Sequence, residues 1–294
     1  MAFLFQNKPY CMKIAWITGT NGLIGAQLVG LGPQAAPAWS VKPITRANVD
    51  LSDFTAVERQ FRADQPGLII HCAAITAVAD AQKNPALARH INLDLTALLA
   101  GLAVDIPFVF FSTDIVFDGK KGDYTETDPV NPLHVYGETK AAAEQAVLKN
   151  PRHLVIRTSI NGGSTPSGNR AFNEQLRHSL QNAGEGMKLF TDEYRCPIPA
   201  VETARATWDL VGKNCTGLYH VAGAQKLSRW EIGQLLVQRW PGLEGRIQPG
   251  SARDFPGPPR ALDTSLNIAK VQGVLTKPLP SLADWLAAHP AGAF

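Results

Sequence analysis

The sequence lacks long apolar runs and long runs of one charge. No stretch reaches the roughly 18 consecutive apolar residues that a membrane helix requires. The net charge is only +3, from 28 basic and 25 acidic residues, and these residues are scattered along the chain. Such a balance does not favour a nucleic-acid-binding surface. We therefore expect neither a membrane nor a nucleic acid as a partner.

Cysteines are also few. The four of them, Cys11, Cys72, Cys196 and Cys215, are far apart and form no Cys-x-x-Cys pair, so neither a metal site nor a disulfide framework is predicted. Idle thiols in a reducing compartment are the better interpretation. Residues 1–12 contain no signal-peptide core and no small-residue cleavage site. A cytoplasmic protein with a flexible leader over residues 1–12 is expected.

Strand-like and helix-like segments alternate through the first half of the chain, which is typical of an α/β protein with a doubly wound parallel sheet and helices on both faces. Strands are predicted over KIAWIT, WSVKPIT, GLIIHCAA, PFVFFST and HLVIRTSI, with Pro43 placing the second near an edge. After Ile160 the sequence becomes rich in Gly and Ser, which predicts a loop. We predict a Rossmann-type nucleotide-binding domain over residues 1–160, to which some later elements return, and a smaller α/β substrate-binding region over residues 161–294.

Capping and breaker residues predict where several helices begin and end. Gly32-Pro33 is expected to stop the helix after the first strand. Asp53 or Ser52 is a candidate cap for the next helix, and Asn84 for the one after. Apolar residues at helical spacing in that last helix predict a core-facing stripe, formed by Leu87, Ile91, Leu95, Leu98 and Leu102.

The turn between the first strand and the first helix has the pattern Gly-x-x-Gly-x-x-Gly. Glycines there let backbone N–H groups approach a pyrophosphate at the positive end of the helix. A tight turn without a ligand is the alternative. The predicted cofactor contacts in this loop are Gly19, Thr20, Asn21, Gly22, Leu23, Ile24 and Gly25.

An arginine follows the second strand, where dinucleotide sites usually have an acidic residue. Arg46 cannot accept protons from ribose hydroxyls but could clamp a 2′-phosphate, which favours NADP(H) over NAD. A solvated surface arginine is the alternative. Asp50 and Leu51 are further predicted contacts near the adenine.

The stretch VYGETK places Tyr136 four residues before Lys140, so the two side chains share one helix face. A nearby cation favours a phenolate, and we expect Lys140 to lower the pKa of Tyr136. Ser112 and Thr113 end the fourth strand, at the sheet edge where ligands bind. A hydroxyl there could hold a substrate carbonyl beside the Tyr136 proton, although capping of the next loop is an alternative.

Several stretches, taken in order, resemble the extended short-chain dehydrogenase/reductases: TGTNGLIG, HCAAIT, FSTDIVFDG, YTETDPVNPLHVYGETKAAAEQAVL, VIRTS and DEYRCPIPA. The resemblance is strongest to the dTDP-4-dehydrorhamnose reductase group, which also includes the regulatory β subunit of methionine adenosyltransferase. It implies reduction of a sugar-nucleotide ketone by NADPH. Thr113, or its neighbour Ser112, would be the catalytic hydroxyl, Tyr136 the general acid and Lys140 the supporting cation.

The resemblance implies further contacts. On the cofactor side they are Cys72, Ala73, Ala74, Thr76 and Asn92, with a satisfied core amide as the alternative for Asn92. On the substrate side they are Val78, Asp114, Ile115, Asn161 and Arg195. Ile115 stands where the family has a tyrosine, and Arg195 where it has a glycine. Arg195 could therefore meet substrate phosphates or face solvent.

Other functions remain open at this point. A sugar-nucleotide dehydratase would need an acid/base carboxylate pair after Thr113, and Ile115 replaces the second carboxylate. A sugar-nucleotide epimerase is possible, although Arg46 does not favour its tightly held NAD. A regulatory subunit that binds NADP without turnover would have the same Tyr136 and Lys140. The chain is expected to be a monomer or homodimer.

Overall fold

A computed structural model describes residues 12–182, 186–257, 259–290, 292 and 294; residues 1–11 of the predicted leader, with Cys11, lie outside them. The strands are β1 (Lys13–Thr18), β2 (Trp39–Ile44), β3 (Leu68–His71), β4 (Phe108–Thr113), β5 (Leu154–Thr158), β6 (Asn161–Gly162), β7 (Met187–Phe190), β8 (Tyr194–Arg195), β9 (Ile198–Pro199), β10 (Gly217–Val221), β11 (Leu227–Ser228) and β12 (Ile247–Gly250).

The helices are α1 (Leu23–Ala35), α2 (Phe54–Asp64), α3 (Val78–Lys83), α4 (Pro85–Arg89), α5 (Leu95–Leu102), α6 (Val135–Val147), α7 (Phe172–Asn182), α8 (Ala200–Gly212), α9 (Arg229–Val237), α10 (Ala269–Gln272) and α11 (Leu282–Ala288). A π-helical turn, His90–Asp94, joins α4 to α5, and 3₁₀ turns cover Asp114–Val116, Glu244–Arg246 and Ala252–Asp254. Within the described ranges no helix is long and apolar enough to cross a bilayer.

One six-stranded parallel sheet organises the fold, in the order β10-β5-β4-β3-β1-β2. Every residue of β3 and β4 is buried, as expected for strands covered on both faces. β2 is an edge strand, as Pro43 predicted, since proline has no N–H for a second neighbour. The predicted Rossmann-type α/β fold is confirmed.

Two apolar layers cover the sheet, because alternate strand residues point to opposite faces. On β1, Ile17 packs in the layer that contains Trp208 of α8, and Trp16 packs in the opposite layer with Leu99 of α5. The indole Nε1 of Trp208 donates to the carbonyl oxygen of Leu28 in α1 at 3.0 Å. α8 and β10 therefore return to the sheet from beyond residue 160, while the domain boundary itself stays a prediction.

A third apolar core lies in the C-terminal half, between α7, α9, α11, β7 and β12. Ser228 caps α9 in a full capping box with Glu231, which satisfies backbone donors at the start of that helix. The described cysteines, Cys72, Cys196 and Cys215, are free thiols, in agreement with the prediction.

The predicted stop of α1 at Gly32-Pro33 is wrong, because the helix continues to Ala35. A proline in the last turn removes only one backbone hydrogen bond, and the Ala36 N–H still donates to the Gly32 oxygen at 2.9 Å. Gly32 has a packing role, since a Cβ there would lie 2.5 Å from a methyl carbon of Val41.

The apolar stripe predicted for the helix that Asn84 caps is wrong at its first position, Leu87. Asn84 does cap α4, accepting from the Leu87 N–H at 3.1 Å, but the Leu87 side chain is 43% exposed. The π turn after α4 takes more residues per turn than an α-helix, and this shifts the buried face. Ala88 and Asn92 are buried instead, while Leu95 is buried as predicted.

A buried ion pair joins α6 to β5. Arg157 donates from Nε to Glu144 Oε1 at 2.9 Å and from Nη2 to Oε2 at 2.7 Å, and neither side chain is appreciably exposed. The guanidinium carbon of Arg157 lies over the Phe117 ring, 4.9 Å from its centroid. This bidentate geometry compensates for removing both charges from water.

We predict that Glu144→Gln lowers the free energy of unfolding by about 3 kcal/mol, because it leaves the buried Arg157 cation without its counter-charge. Urea denaturation measures the change. Glu58→Gln is the control, since Glu58 pairs with Arg62 on an exposed helix surface and should cost about 0.5 kcal/mol or less. Equal losses in the two variants would contradict the prediction.

Candidate active site

The glycine loop lies at the carboxyl end of β1 and is held by close backbone packing. Gly19 has φ +69°, and a Cβ on it would lie 2.7 Å from the backbone nitrogen of Ala73. A Cβ on Gly25 would collide with the backbone of Gly19 and Thr20. Both positions therefore require glycine for reasons internal to the fold. The loop that follows β3 is thereby held against the start of α1.

The same loop fits a dinucleotide. Gly22 begins α1 without a side-chain cap, and the first turn contains no acidic residue, so its N–H groups can meet an anion. The Thr20 hydroxyl oxygen is buried and, among the described residues, has no hydrogen-bond partner. A buried polar atom without a partner is costly and rare in native proteins. Asn21 is exposed and Leu23 and Ile24 are half-buried, and their contacts with a cofactor stay predictions.

A buried polar chain, which the sequence did not reveal, supports the loop after β3. The Thr18 hydroxyl lies 2.7 Å from His71 Nδ1 and accepts from the backbone N–H of Cys72 and of Ala73, both at 3.2 Å. His71 Nε2 lies 3.1 Å from the Thr96 hydroxyl. Burial, with Lys140 nearby, lowers the pKa of His71 to about 3, so the ring is neutral. This chain holds the predicted contacts Cys72 and Ala73 in place.

Asn92 holds the next part of that loop. Its Oδ1 accepts from the Ile75 N–H at 2.8 Å, and its Nδ2 donates to the Ile75 oxygen and the Thr139 hydroxyl, both at 3.1 Å. Its side chain has no exposed surface. The arrangement matches the core-amide alternative and links α6 to the loop that includes Ala74 and Thr76. A direct cofactor contact stays a prediction.

Tyr136 lies beside the end of β4. Its ring is buried among Ala81, Ala88 and the half-buried Val78 and Ile115, and its phenol lies close enough to Thr113 for that side chain to influence its pKa. Burial raises the pKa of Tyr136 to about 12; Thr113 opposes this rise and the charge of Asp114 adds to it. The expectation of a lowered pKa is wrong, because burial outweighs the effect of the charges nearby. Tyr136 therefore keeps its proton at neutral pH.

Lys140 follows one turn later and is also buried. Its ammonium Nζ lies 3.9 Å from the centroid of the Phe110 ring, a favourable cation–π distance. Burial lowers the pKa of Lys140 to about 7, although Glu144 and Cys72 act in the opposite direction. Lys140 can therefore gain or lose a proton near neutral pH.

The two hydroxyls that end β4 differ. Thr113 donates to Asp114 Oδ1 at 3.2 Å and accepts from the Ile115 N–H at 3.3 Å, and it also influences the pKa of Tyr136. The Ser112 hydroxyl is buried and has no partner within the described part of the chain. Thr113 is thus the hydroxyl connected to Tyr136, while capping of the following 3₁₀ turn is a second role for it.

The predicted substrate residues fall into two groups. Val78, Ile115 and Asp114 lie around Tyr136 or Thr113. Asn161 lies on β6 with its amide engaged: it donates to Thr158 and Ser159 and accepts from Thr203.

Arg195 does not face solvent. It is buried and pairs with Glu193 at 3.1 Å, so the solvent-facing alternative is wrong. The phosphate contact stays a prediction.

The residues predicted to contact the adenosine part of the cofactor follow β2. Arg46 is exposed and belongs to the loop after β2, the parallel neighbour of β1. Asp50 Oδ1 accepts from the N–H and hydroxyl of Ser52. These bonds, more than the nearby Arg46 charge, lower the pKa of Asp50. Leu51 is half-buried beside the second apolar layer. Arg46 is therefore free to meet a ligand at the sheet edge that carries the glycine loop.

Comparison with known proteins agrees with this geometry. The family model described as RmlD substrate binding domain matches residues 12–289. A probable low-salt glycan biosynthesis reductase, Agl14, of Haloferax volcanii is 31% identical over 291 residues, covering 94% of this chain and 97% of that protein. A dTDP-4-dehydrorhamnose reductase of Sinorhizobium fredii is 30% identical over 263 residues, covering 85% and 86%.

Among solved structures, a Bacillus anthracis dTDP-4-dehydrorhamnose reductase in complex with NADP has the same fold. It aligns with a TM-score of 0.84 at 24% identity, over 94% of this chain and 98% of that chain.

The buried Lys140 should make stability depend on pH. Its folded pKa of about 7 lies below its ordinary 10.5, so above pH 7 the unfolded chain binds more protons and the free energy of unfolding rises with pH. The rise should be clearest up to pH 9, where the unfolded Cys72 thiol starts to ionise.

Urea denaturation at several pH values, compared with Lys140→Met, measures this dependence. The difference between the two proteins should shrink as pH rises. Lys149→Met, at an exposed position after α6, controls for the loss of a positive charge. A difference that does not change with pH would contradict the prediction.

Proposed function

Because the chain belongs to the RmlD substrate binding domain family of extended short-chain dehydrogenase/reductases, we propose that it reduces the 4-keto group of a sugar nucleotide. It is an NADP-dependent oxidoreductase of the dTDP-4-dehydrorhamnose reductase type. One observation carries the finer proposal: Tyr136 lies beside Thr113 at the carboxyl end of β4, and Lys140 lies over Phe110 of the same strand. The sheet edge at the carboxyl end of β4 is shared with the glycine loop after β1.

The residues of this chain supply the proton chemistry. Bound NADPH would supply the hydride that reduces the ketone carbon. Tyr136, protonated at neutral pH, donates its proton to the ketone oxygen, and the product is an alcohol. Thr113 holds the oxygen in reach of the phenol. Lys140, in its cationic form, compensates the phenolate that remains and can then return a proton.

The proposed cofactor contacts are polar groups for which the described residues provide no hydrogen-bond partner, and one exposed cation. The Thr20 hydroxyl and the first turn of α1 would meet the pyrophosphate, since both lack partners in the described chain. Arg46 would bind the 2′-phosphate that distinguishes NADPH from NADH. The unpaired Ser112 hydroxyl would meet a polar group of the cofactor or substrate.

The sugar would lie against Tyr136. Val78 and Ile115 present apolar surface beside the phenol, which suits the carbon face of a deoxy sugar. Asp114 has no free access, because it is buried and accepts bonds from Thr113, Ser159 and Thr264. We therefore place Val78 and Ile115, rather than Asp114, in contact with substrate.

The direct test is turnover. We expect NADPH to be consumed when dTDP-4-dehydrorhamnose or a related 4-keto sugar nucleotide is added, with loss of NADPH absorbance as the readout. Tyr136→Phe should lower the rate about 10²- to 10⁴-fold, as loss of a general acid does, without loss of NADPH binding. Tyr219→Phe, on β10 away from this edge, is the matched control and should keep wild-type activity.

A second outcome would overturn the proposal. Tight NADPH binding without turnover on any 4-keto sugar nucleotide, together with co-purification of a partner enzyme, would indicate the regulatory-subunit alternative instead.

Cofactor choice gives a separate prediction. Arg46→Ala should weaken NADPH binding about 10- to 100-fold, because a charge-assisted contact contributes about 1.5–3 kcal/mol. NADH binding should change little, since NADH has no 2′-phosphate. Fluorescence titration with each cofactor measures both affinities, and Arg59→Ala, an exposed arginine of α2, is the control. Equal weakening for NADH would contradict the assignment.

A further inference from the structure

A buried group of charges extends from the C-terminal half to the proposed catalytic hydroxyl. At its centre is the Glu193 carboxylate, which has no exposed surface. Three guanidinium groups surround it: those of Arg195 at 3.1 Å, Arg229 at 3.0 Å and Arg260 at 2.5 Å. These cations outnumber the Glu193 charge. Arg195 is the one that reaches a second carboxylate.

Arg195 bridges Glu193 and Asp114. Its Nε lies 3.7 Å from Asp114 Oδ2, and its Nη1 donates to the carbonyl oxygens of Tyr194 at 2.7 Å and Ala261 at 3.1 Å. These backbone contacts fix the guanidinium in one orientation. Asp114 and Arg195 are both buried, so water does not screen their attraction.

Asp114 in turn contacts the proposed catalytic pair. Its Oδ1 accepts from the Thr113 hydroxyl at 3.2 Å, and its Oδ2 accepts from Ser159 at 2.7 Å and Thr264 at 3.2 Å. Both Thr113 and Asp114 influence the Tyr136 phenol. Contacts therefore lead from Arg195 through Asp114 to Thr113, and Asp114 and Thr113 act on Tyr136.

We propose that Arg195 is a positioning residue for the reduction: by neutralising Asp114, it keeps the Thr113–Tyr136 pair competent to deliver a proton. The inference rests on the proposed function of Tyr136 as the proton donor. Among the described residues, no ion pair or hydrogen bond joins Arg195 to Tyr136 or Thr113. Arg195 acts through Asp114.

Electrostatics gives the direction of the effect. The titratable groups that face Asp114 are Tyr136 from α6 and Cys196 after β8. Arg195 is its cationic partner, and Glu193 lies on the far side of that guanidinium. The Asp114 charge raises the pKa of Tyr136. Without Arg195 this charge acts unopposed, so the phenol becomes a weaker acid and proton delivery slows.

The cluster offers a matched pair of variants. Arg195→Gln removes the cation beside Asp114 and leaves Glu193 with Arg229 and Arg260. Arg229→Gln removes a cation from the same carboxylate but has no contact with Asp114. A purely structural role of the cluster predicts similar behaviour of the two variants.

The first arm of the test uses no substrate and no cofactor. The ionisation of Tyr136 is followed by phenolate absorbance in a pH jump, as the difference from the same protein carrying Tyr136→Phe. We expect Arg195→Gln to move this step to higher pH, Asp114→Asn to move it to lower pH, and the double variant to behave like Asp114→Asn. Arg229→Gln should leave it in place.

The second arm measures kcat for reduction of dTDP-4-dehydrorhamnose as a function of pH. Arg195→Gln should lower kcat about tenfold for each unit by which the acid is weakened, with unchanged NADPH affinity. The deficit should vanish in the Asp114→Asn background.

The outcomes separate the two claims. An unmoved Tyr136 step in Arg195→Gln, or equal effects of Arg195→Gln and Arg229→Gln, would overturn the role of Arg195. Absence of turnover in the wild type would count against the proposed function alone, since the first arm does not need turnover. If Arg195→Gln does not fold, an unmoved step in Asp114→Asn would be sufficient to reject the proposal.

Discussion

The buried Glu144–Arg157 pair is the interaction on which the proposed site depends. α6 carries both Tyr136 and Lys140, so the position of this helix on the sheet decides where their polar atoms lie. The bidentate pair, at 2.9 and 2.7 Å, fixes α6 to β5 one turn beyond Lys140. Its carboxylate also offsets part of the cost of burying the Lys140 cation.

Close backbone contact provides the second constraint. The first turn of α1 and the loop after β3 meet at Gly19 and Ala73 with no room for a side chain. The hydrogen bond between the side chains of Thr18 and His71 stabilises the same contact. The residues proposed to bind the cofactor and to transfer the proton thus lie at one edge of the sheet. Tyr136 holds its proton at neutral pH, which is the state that a proton donor in ketone reduction requires.

Much of this arrangement could be predicted from the sequence, because its determinants are local. The apolar strands, the Asp53 and Asn84 caps, the glycine turn and the Tyr136–Lys140 spacing each depend on a few neighbouring residues. Features that depend on distant contacts were missed or mispredicted. The π turn moved Leu87 to the surface.

The charge states were hardest to predict. Arg195 meets Asp114 and Ala261 on distant segments of the chain, and the pKa of Tyr136 is raised mainly by burial. Pattern reasoning identifies which side chains share a face, but desolvation is a property of the assembled core.

The most direct measurement of the central claim is isotope transfer from cofactor to sugar. NADPH that carries deuterium at the reactive position of the nicotinamide is incubated with the protein and dTDP-4-dehydrorhamnose, and the product is analysed by NMR. If NADPH transfers its hydride to the 4-keto carbon, we expect one deuterium at C4 of the sugar, delivered to a single face. Consumption of NADPH without deuterium at C4, or deuterium distributed over both faces, would contradict it.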